Sequence, residues 1–206
     1  MKRIGRPRKN PKLPPTKERI LKAAAAAFSK AGFSGVGLDE IAKELGLTRP
    51  SLLYHFGSKE ELYRQVLSTR ILELGIELAK FTDGEDSVTT QIERVVAGFV
   101  RFLEKDPEFA PLLLRDLMDG RGPSRELLST ALVPLLDHVE VAVSKEQPEF
   151  LLPGLDVREA LLLLASSALV YGASPSFRDE LWTNGSHNTM ELARILFPKK
   201  VEPSEP

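Results

Sequence analysis

Residues 28–63 read FSKAGFSGVGLDEIAKELGLTRPSLLYHFGSKEELY, and the punctuation inside this stretch decides the fold. DEIAKELG at 39–46 places Ile41, Ala42 and Leu45 on one side of a short helix that Gly46 ends. After the brief link Leu47-Thr48, RPSLLYHF at 49–56 forms a second short helix. Pro50 is tolerated there because first-turn amides have no intrahelical partner. Gly46 can take the left-handed conformation that turns the chain sharply, while Ile41, Ala42, Leu45, Leu47 and Leu52 pin the two helices at a fixed angle. This is the spacing of a helix-turn-helix. Its second helix would present N-terminal polar residues to a DNA major groove, which is wide enough for one helix.

Outward from this stretch the chain reads as helical throughout. TKERILKAAAAAFSKAG at 16–32 puts Ile20, Ala24, Ala27, Phe28 and Ala31 on one face, with Thr16 as N-cap and Gly32 as the stop. Gly57 breaks the helix at 49–56, and Ser58 with Glu61 predicts a capping box opening a fourth helix that runs to about Lys80. FTDGED at 81–86 is a loop. Further helices are expected at about 88–105, 107–119, 123–147, 156–173 and 187–197, where Pro111 and Pro134 can kink or split two of them. FRDELW at 177–182 can add a turn, and the charged, proline-rich residues 198–206 are expected to be a disordered tail. No repeat and no alternating strand pattern is visible.

Composition narrows the function. The 206 residues include no cysteine, which excludes disulfides, thiolate metal sites and cysteine nucleophiles. His138 and His187 stand apart from carboxylates at ligand spacing, so no metal or cofactor is expected. There is no phosphate-cradling glycine loop, no HExxH and no Gly-x-Ser-x-Gly to carry enzyme chemistry. The longest apolar run, 160–173, is too short and too rich in small polar residues to span a bilayer, which needs about 20 residues. The basic start runs into Gly, Pro and Asn instead of an apolar core, so no secretion signal is read and a cytoplasmic protein is expected. Residues 1–80 carry 16 Lys and Arg against 8 Asp and Glu, whereas the remainder carries 12 against 21. One end is therefore suited to a polyanion and the other is not.

Phe28, the Gly32-Phe33 pair, Ile41-Ala42, Gly46-Leu47, Leu52, Tyr54-His55-Phe56 and Ser58-Lys59-Glu60 together resemble the DNA-binding region of the TetR family of transcriptional regulators. The resemblance covers residues 16–64, about a quarter of the chain. It implies an all-α protein in which a three-helix helix-turn-helix domain (16–64) joins, through helix four continuing to about 80, a helical regulatory and dimerisation domain at 81–197. It also implies that 49–55 is the recognition helix, with Arg49 and Ser51 at its exposed start and Tyr54 and His55 a turn later, able to reach phosphates or base edges. Thr48 would cap that helix or donate to a phosphate, and Lys59 would meet a phosphate at the start of helix four. Phe56 is expected in the core, Tyr54 suits core or interface, and His55 reads as a surface group. The sequence departs from the family where Leu53 replaces a common tyrosine and where Gly37 replaces a capping Ser or Thr.

For the acidic remainder the resemblance implies a small-molecule pocket and a dimer interface on the last two long helices. Phe102, Phe109, Arg115 and Met118 are the pocket candidates. Leu161, Ala165, Ala168, Leu169, Gly172, Leu192, Ile195 and Leu196 are the interface candidates, a buried helix within one protomer being the alternative. The expected partners are double-stranded DNA bearing a palindromic operator, a second copy of the chain and a small effector, with no membrane. The leading expectation is a ligand-responsive repressor; the rival is an architectural or cell-division DNA-binding protein without an effector. Residues 1–15 read as a basic, flexible arm. Gly5-Arg6-Pro7 resembles an AT-hook with Ile4 in place of an arginine, so Arg6 and Arg8 are candidates for a narrow minor groove.

Overall fold

Alanines determine how the first helix packs. The computed structural model describes residues 16–80, 87–120, 123–146, 154–174, 180 and 189–197. Helix α1 (Thr16–Gly35) buries Ile20, Ala23, Ala24, Ala25 and Phe28. Ala31, expected inward, is exposed, and Ala23 and Ala25 are buried in its place. The reason is that α1 is gripped from two sides, by α4 (Lys59–Ala79) and by α6 (Phe109–Asp119), so its buried surface is wider than a single stripe. The expected stop at Gly32 is a break: its φ of 70° and ψ of 175° lie where only glycine sits comfortably, and helical bonding resumes for one more turn.

Helices α2 (Leu38–Glu44) and α3 (Arg49–Phe56) are joined by the turn that the glycine predicted. Gly46 has φ of 66°, its N–H donates to the Lys43 carbonyl at 3.1 Å, and the Leu47 N–H donates to the Ala42 carbonyl at 2.8 Å. That pair of bonds is a Schellman motif, which satisfies two carbonyls left open at the end of α2. Leu52 and Phe56 face inward from α3 and join Phe28, Ile41, Leu62, Val66 and Leu67 in one core. Gly37 caps α2 in an extended conformation without a side-chain bond.

Among the described residues the remaining helices are α5 (Val88–Lys105), α7 (Ser124–Glu146), α8 (Val157–Ala173) and α9 (Thr189–Leu196). Pro111 falls in the first turn of α6 and costs little there. Pro134 lies inside α7, which continues past it; the carbonyl it leaves unpaired belongs to Thr130, on the exposed side. One core joins α5, α7, α8 and α9 through Ile92, Val96, Val143, Leu164, Ala193 and Phe197. A second core holds α4 to α6 and α8 through Ile71, Leu74, Phe109, Leu113 and Ala168. Leu112 of α6 belongs instead to the core shared by α1, α2, α3 and α4, so α6, like α4, contributes to both cores and ties the two halves together. Asp106, after α5, pairs with Arg70 of α4 in a largely buried bridge. The arm with Arg6 and Arg8, the 81–86 loop, the segment at 177–182 (apart from Glu180), His187 and the tail lie outside the described residues.

Candidate nucleic-acid interface

The start of α3 is built to stay in solvent. Thr48, Arg49 and Pro50 are exposed, while Leu52 and Phe56 anchor the opposite side of the helix. Thr48 is the N-cap: its Oγ1 accepts the Ser51 N–H at 3.4 Å and lies 3.0 Å from Ser51 Oγ. The cap thus ties two candidate contacts to each other and fixes where the helix begins. Arg49 Nη1 donates to Asp39 Oδ2 of α2 at 3.4 Å, with both side chains largely exposed.

Tyr54, one turn on, is 87% exposed, which decides between the two readings in favour of the surface. An aromatic that open has no packing role within the protomer. His55 is half-buried, edge-on to Tyr54 with ring centroids 5.5 Å apart. Lys59 is half-buried, and its Nζ stands 4.5 Å over the Phe33 ring. Lys17 reaches over the Phe56 ring at 5.6 Å. Thr48, Arg49 and Tyr54 are therefore open to solvent along the cap and first turns of α3, with Ser51 half-buried among them and Lys59 at the start of the next helix.

The expected capping box is half made. Ser58 accepts the Glu61 N–H at 3.1 Å, but the Glu61 carboxylate turns away to Arg64, at 2.7 and 2.8 Å, and Gln65. Those two donors hold the Glu61 carboxyl down at about 2. Glu60 takes the place beside Ser58: its backbone bond, then Ser58, keep its carboxyl below the ordinary value.

Beneath this surface is a buried polar junction that periodicity does not reveal. Tyr63 packs edge-on against Phe28, with centroids 4.9 Å apart, and its hydroxyl donates to the Asp116 carboxylate of α6. Asp116 is only 3% exposed, and its Oδ2 also accepts the Ser124 N–H at 2.9 Å, where α7 begins. Burial, then Asp116, push the Tyr63 hydroxyl well above its ordinary value. An aspartate four positions before a helix-ending glycine was the only available signal, and it read equally well as a surface charge.

The pocket candidates do not come together. Phe109 is fully buried and edge-on to Phe102, a core pair with centroids 5.2 Å apart. Phe102 also lines a surface cleft of about 270 Å³ with Glu73, Ile76, Glu77 and Lys105. Arg115 is exposed and reaches Gly32 of α1; Met118 is 86% exposed. The Arg115 and Met118 expectations are corrected because both lie on the solvent side of α6. A second cavity, between α5, α7 and α8, has only about 20 Å³ of free space and is lined by apolar side chains with Gln91 and His138.

The interface candidates are likewise redistributed. Ala168 and Leu196 are buried in the protomer's own core, and a Cβ on Gly172 would sit 3.5 Å from Ala110. Leu161, Ala165, Leu169 and Leu192 are half-buried, which leaves Ile195 as the one outward member. The open apolar face of α8 is instead Leu162, Leu163 and Val170. A helix apolar all round offers no phase from which to read its inward side. Among the described residues no helix is long and apolar enough to cross a membrane, and no group of three His, Asp or Glu could hold a metal ion.

Residues 20–66 match the family described as bacterial regulatory proteins, tetR family. Over 196 residues the chain is 25% identical to the HTH-type transcriptional regulator RutR of Escherichia coli (strain K12), covering 91% of each protein. It is 24% identical over 183 residues to the biofilm operon icaADBC HTH-type negative transcriptional regulator IcaR of Staphylococcus aureus (strain Newman), covering 81% of this chain and 95% of that one. A bacterial regulatory protein of the tetR family from Rhodococcus RHA1 shares the fold, with a TM-score of 0.73 at 14% identity over 91% of this chain and 100% of the other.

Proposed function

We propose that this chain, which belongs to the tetR family and is a DNA-binding regulator of transcription, represses its targets as a homodimer on a palindromic operator and is released by a small effector. The observation that carries the reading is the start of α3. Thr48, Arg49 and Tyr54 face solvent, and half-buried Ser51 is tied to Thr48, on a helix whose other side is locked into the core, so polar groups are held at fixed positions for a major groove. Lys59 adds a cation one turn away, where it can meet a phosphate. The name of IcaR, a negative regulator, supports repression over activation.

Two heads reading one palindrome require a second copy. The open apolar residues Leu162, Leu163 and Val170 of α8, with Ile195 of α9, suit that contact. Their half-sites would lie about 34–36 Å apart or a multiple of that. The effector, of unassigned identity, acts by binding one separation of the heads more tightly than the other. Residues 1–12, through Arg6 and Arg8, supply an arm to the minor groove. The protein acts in the cytoplasm and has no catalytic role.

Footprinting on genomic fragments tests the reading. The expected result is protection of a two-fold symmetric site; binding that spreads evenly, with no preferred palindrome, rules it out. Removing residues 1–12 should flatten the salt dependence by about 0.9 log units for each phosphate that the arm neutralises. An unchanged slope would leave the arm no part in binding.

A further inference from the structure

A carboxylate on a surface that meets a polyanion needs an explanation. Asp39 stands in the first turn of α2, exposed, with its Oδ2 3.4 Å from Arg49 Nη1. Complementing the helix dipole does not account for it, because Glu40 occupies the same turn and the same role. Nor does stability: an exposed ion pair of this kind contributes little to folding. From this placement we infer that Asp39 is a positioning residue for base readout, holding the Arg49 guanidinium so that its remaining edge meets a guanine. The inference rests on α3 being the recognition helix.

The geometry divides the guanidinium between two tasks. Arginine presents five N–H donors in a rigid planar fork. One N–H of Arg49 is engaged by Asp39, which leaves the others to make the two parallel bonds to guanine O6 and N7. An arginine held in this way has less rotamer freedom to lose on binding than a free one. The anchor on α2 and the arginine on α3 are fixed relative to each other by the Gly46 turn, so the orientation is set by the rigid part of the fold. The negative charge has a second consequence. It weakens contact with every phosphate backbone, correct site or not, whereas the held arginine favours only the correct base. The repulsion lowers overall affinity on every duplex alike, and the held arginine alone widens the gap between operator and random DNA.

The test uses the full chain, its footprinted operator, single-base variants of that operator and a random duplex, with affinities measured by fluorescence anisotropy at one salt concentration. D39N should bind the random duplex more tightly than wild type. Its ratio of operator to random affinity should fall by at least about fivefold, the lower end of what one bidentate arginine contact discriminates. The loss should concentrate at one G·C pair, the same pair to which R49A becomes indifferent. In an R49A background D39N should change nothing at that pair, and D39E, which keeps the carboxylate, should restore part of the preference. If D39N shifts every duplex by one common factor, or acts at that pair without Arg49, the inference fails while the operator reading stands. A wild-type chain with no preferred duplex overturns both.

Discussion

Replacing Asp116 by alanine should damage the protein more than its place near the surface end of α6 suggests. The carboxylate is 3% exposed and accepts from two donors, the Tyr63 hydroxyl on α4 and the Ser124 N–H at 2.9 Å on α7. A hydrogen bond to a charged group is worth about 1.5–3 kcal/mol, so the pair is worth about 3–6 kcal/mol gross. Releasing a buried carboxylate from its desolvation offsets part of this, leaving a net loss of about 3 kcal/mol. Against a typical stability of about 5–15 kcal/mol that is a large fraction. Tyr63→Phe removes one bond and leaves the other, and should cost about 1.5 kcal/mol. Urea unfolding followed by circular dichroism, at fixed protein concentration because the stability of the proposed dimer would depend on it, gives both numbers. The double variant should show a coupling of about 1–2 kcal/mol between the two sites. A D116A loss below about 1 kcal/mol, or strictly additive single variants, would refute the view that Asp116 joins α4, α6 and α7.

Other expectations are simpler. Gly32→Ala forces a Cβ onto a backbone at φ 70° and ψ 175° and should destabilise by about 1–3 kcal/mol, read as a lower thermal midpoint. Thr48→Ala removes the cap of α3 and should cost about 1 kcal/mol in unfolding and weaken operator binding, while Thr48→Ser should retain both. Tyr63 keeps its proton in the folded state well above the ordinary value of 10, so its contribution is complete below pH 10 and is lost as pH rises further; the loss should vanish in Y63F. Glu61 is the opposite case: its folded value of about 2 lies below 4.5, so its contribution is present above pH 4.5 and fades as pH falls towards 2, a fade that E61Q should remove in an acid titration.

The sequence and the structure agree where local rules act alone. Gly46 announces a turn because it alone tolerates the left-handed backbone found there, and Thr48 announces a cap because its hydroxyl sits one position before a helix. Leu52 and Phe56 announce an inward face through their spacing. Capping was harder to read at Ser58, where Glu60 and Glu61 are both able to reach back and only the competing donors Arg64 and Gln65 settle which one does.

What no local rule reaches is the choice of neighbour. Ala31 and Ala23 are the same residue, and their opposite fates follow from which parts of α1 are covered by the helices packed on it, α4 and α6 foremost. Asp39 and Arg49 are ten positions apart with nothing in either helix to pair them; the turn does it. Asp116 needed Tyr63 from one direction and Ser124 from another before its burial could be tolerated. Along α8, apolar on every side, Ala168 and Gly172 face the core and Leu162, Leu163 and Val170 face out for reasons that lie in α5 and α6. Backbone conformation and capping depend on a few adjacent residues and so are written along the chain. Burial and pairing depend on which surfaces meet, and that is settled only when the helices pack.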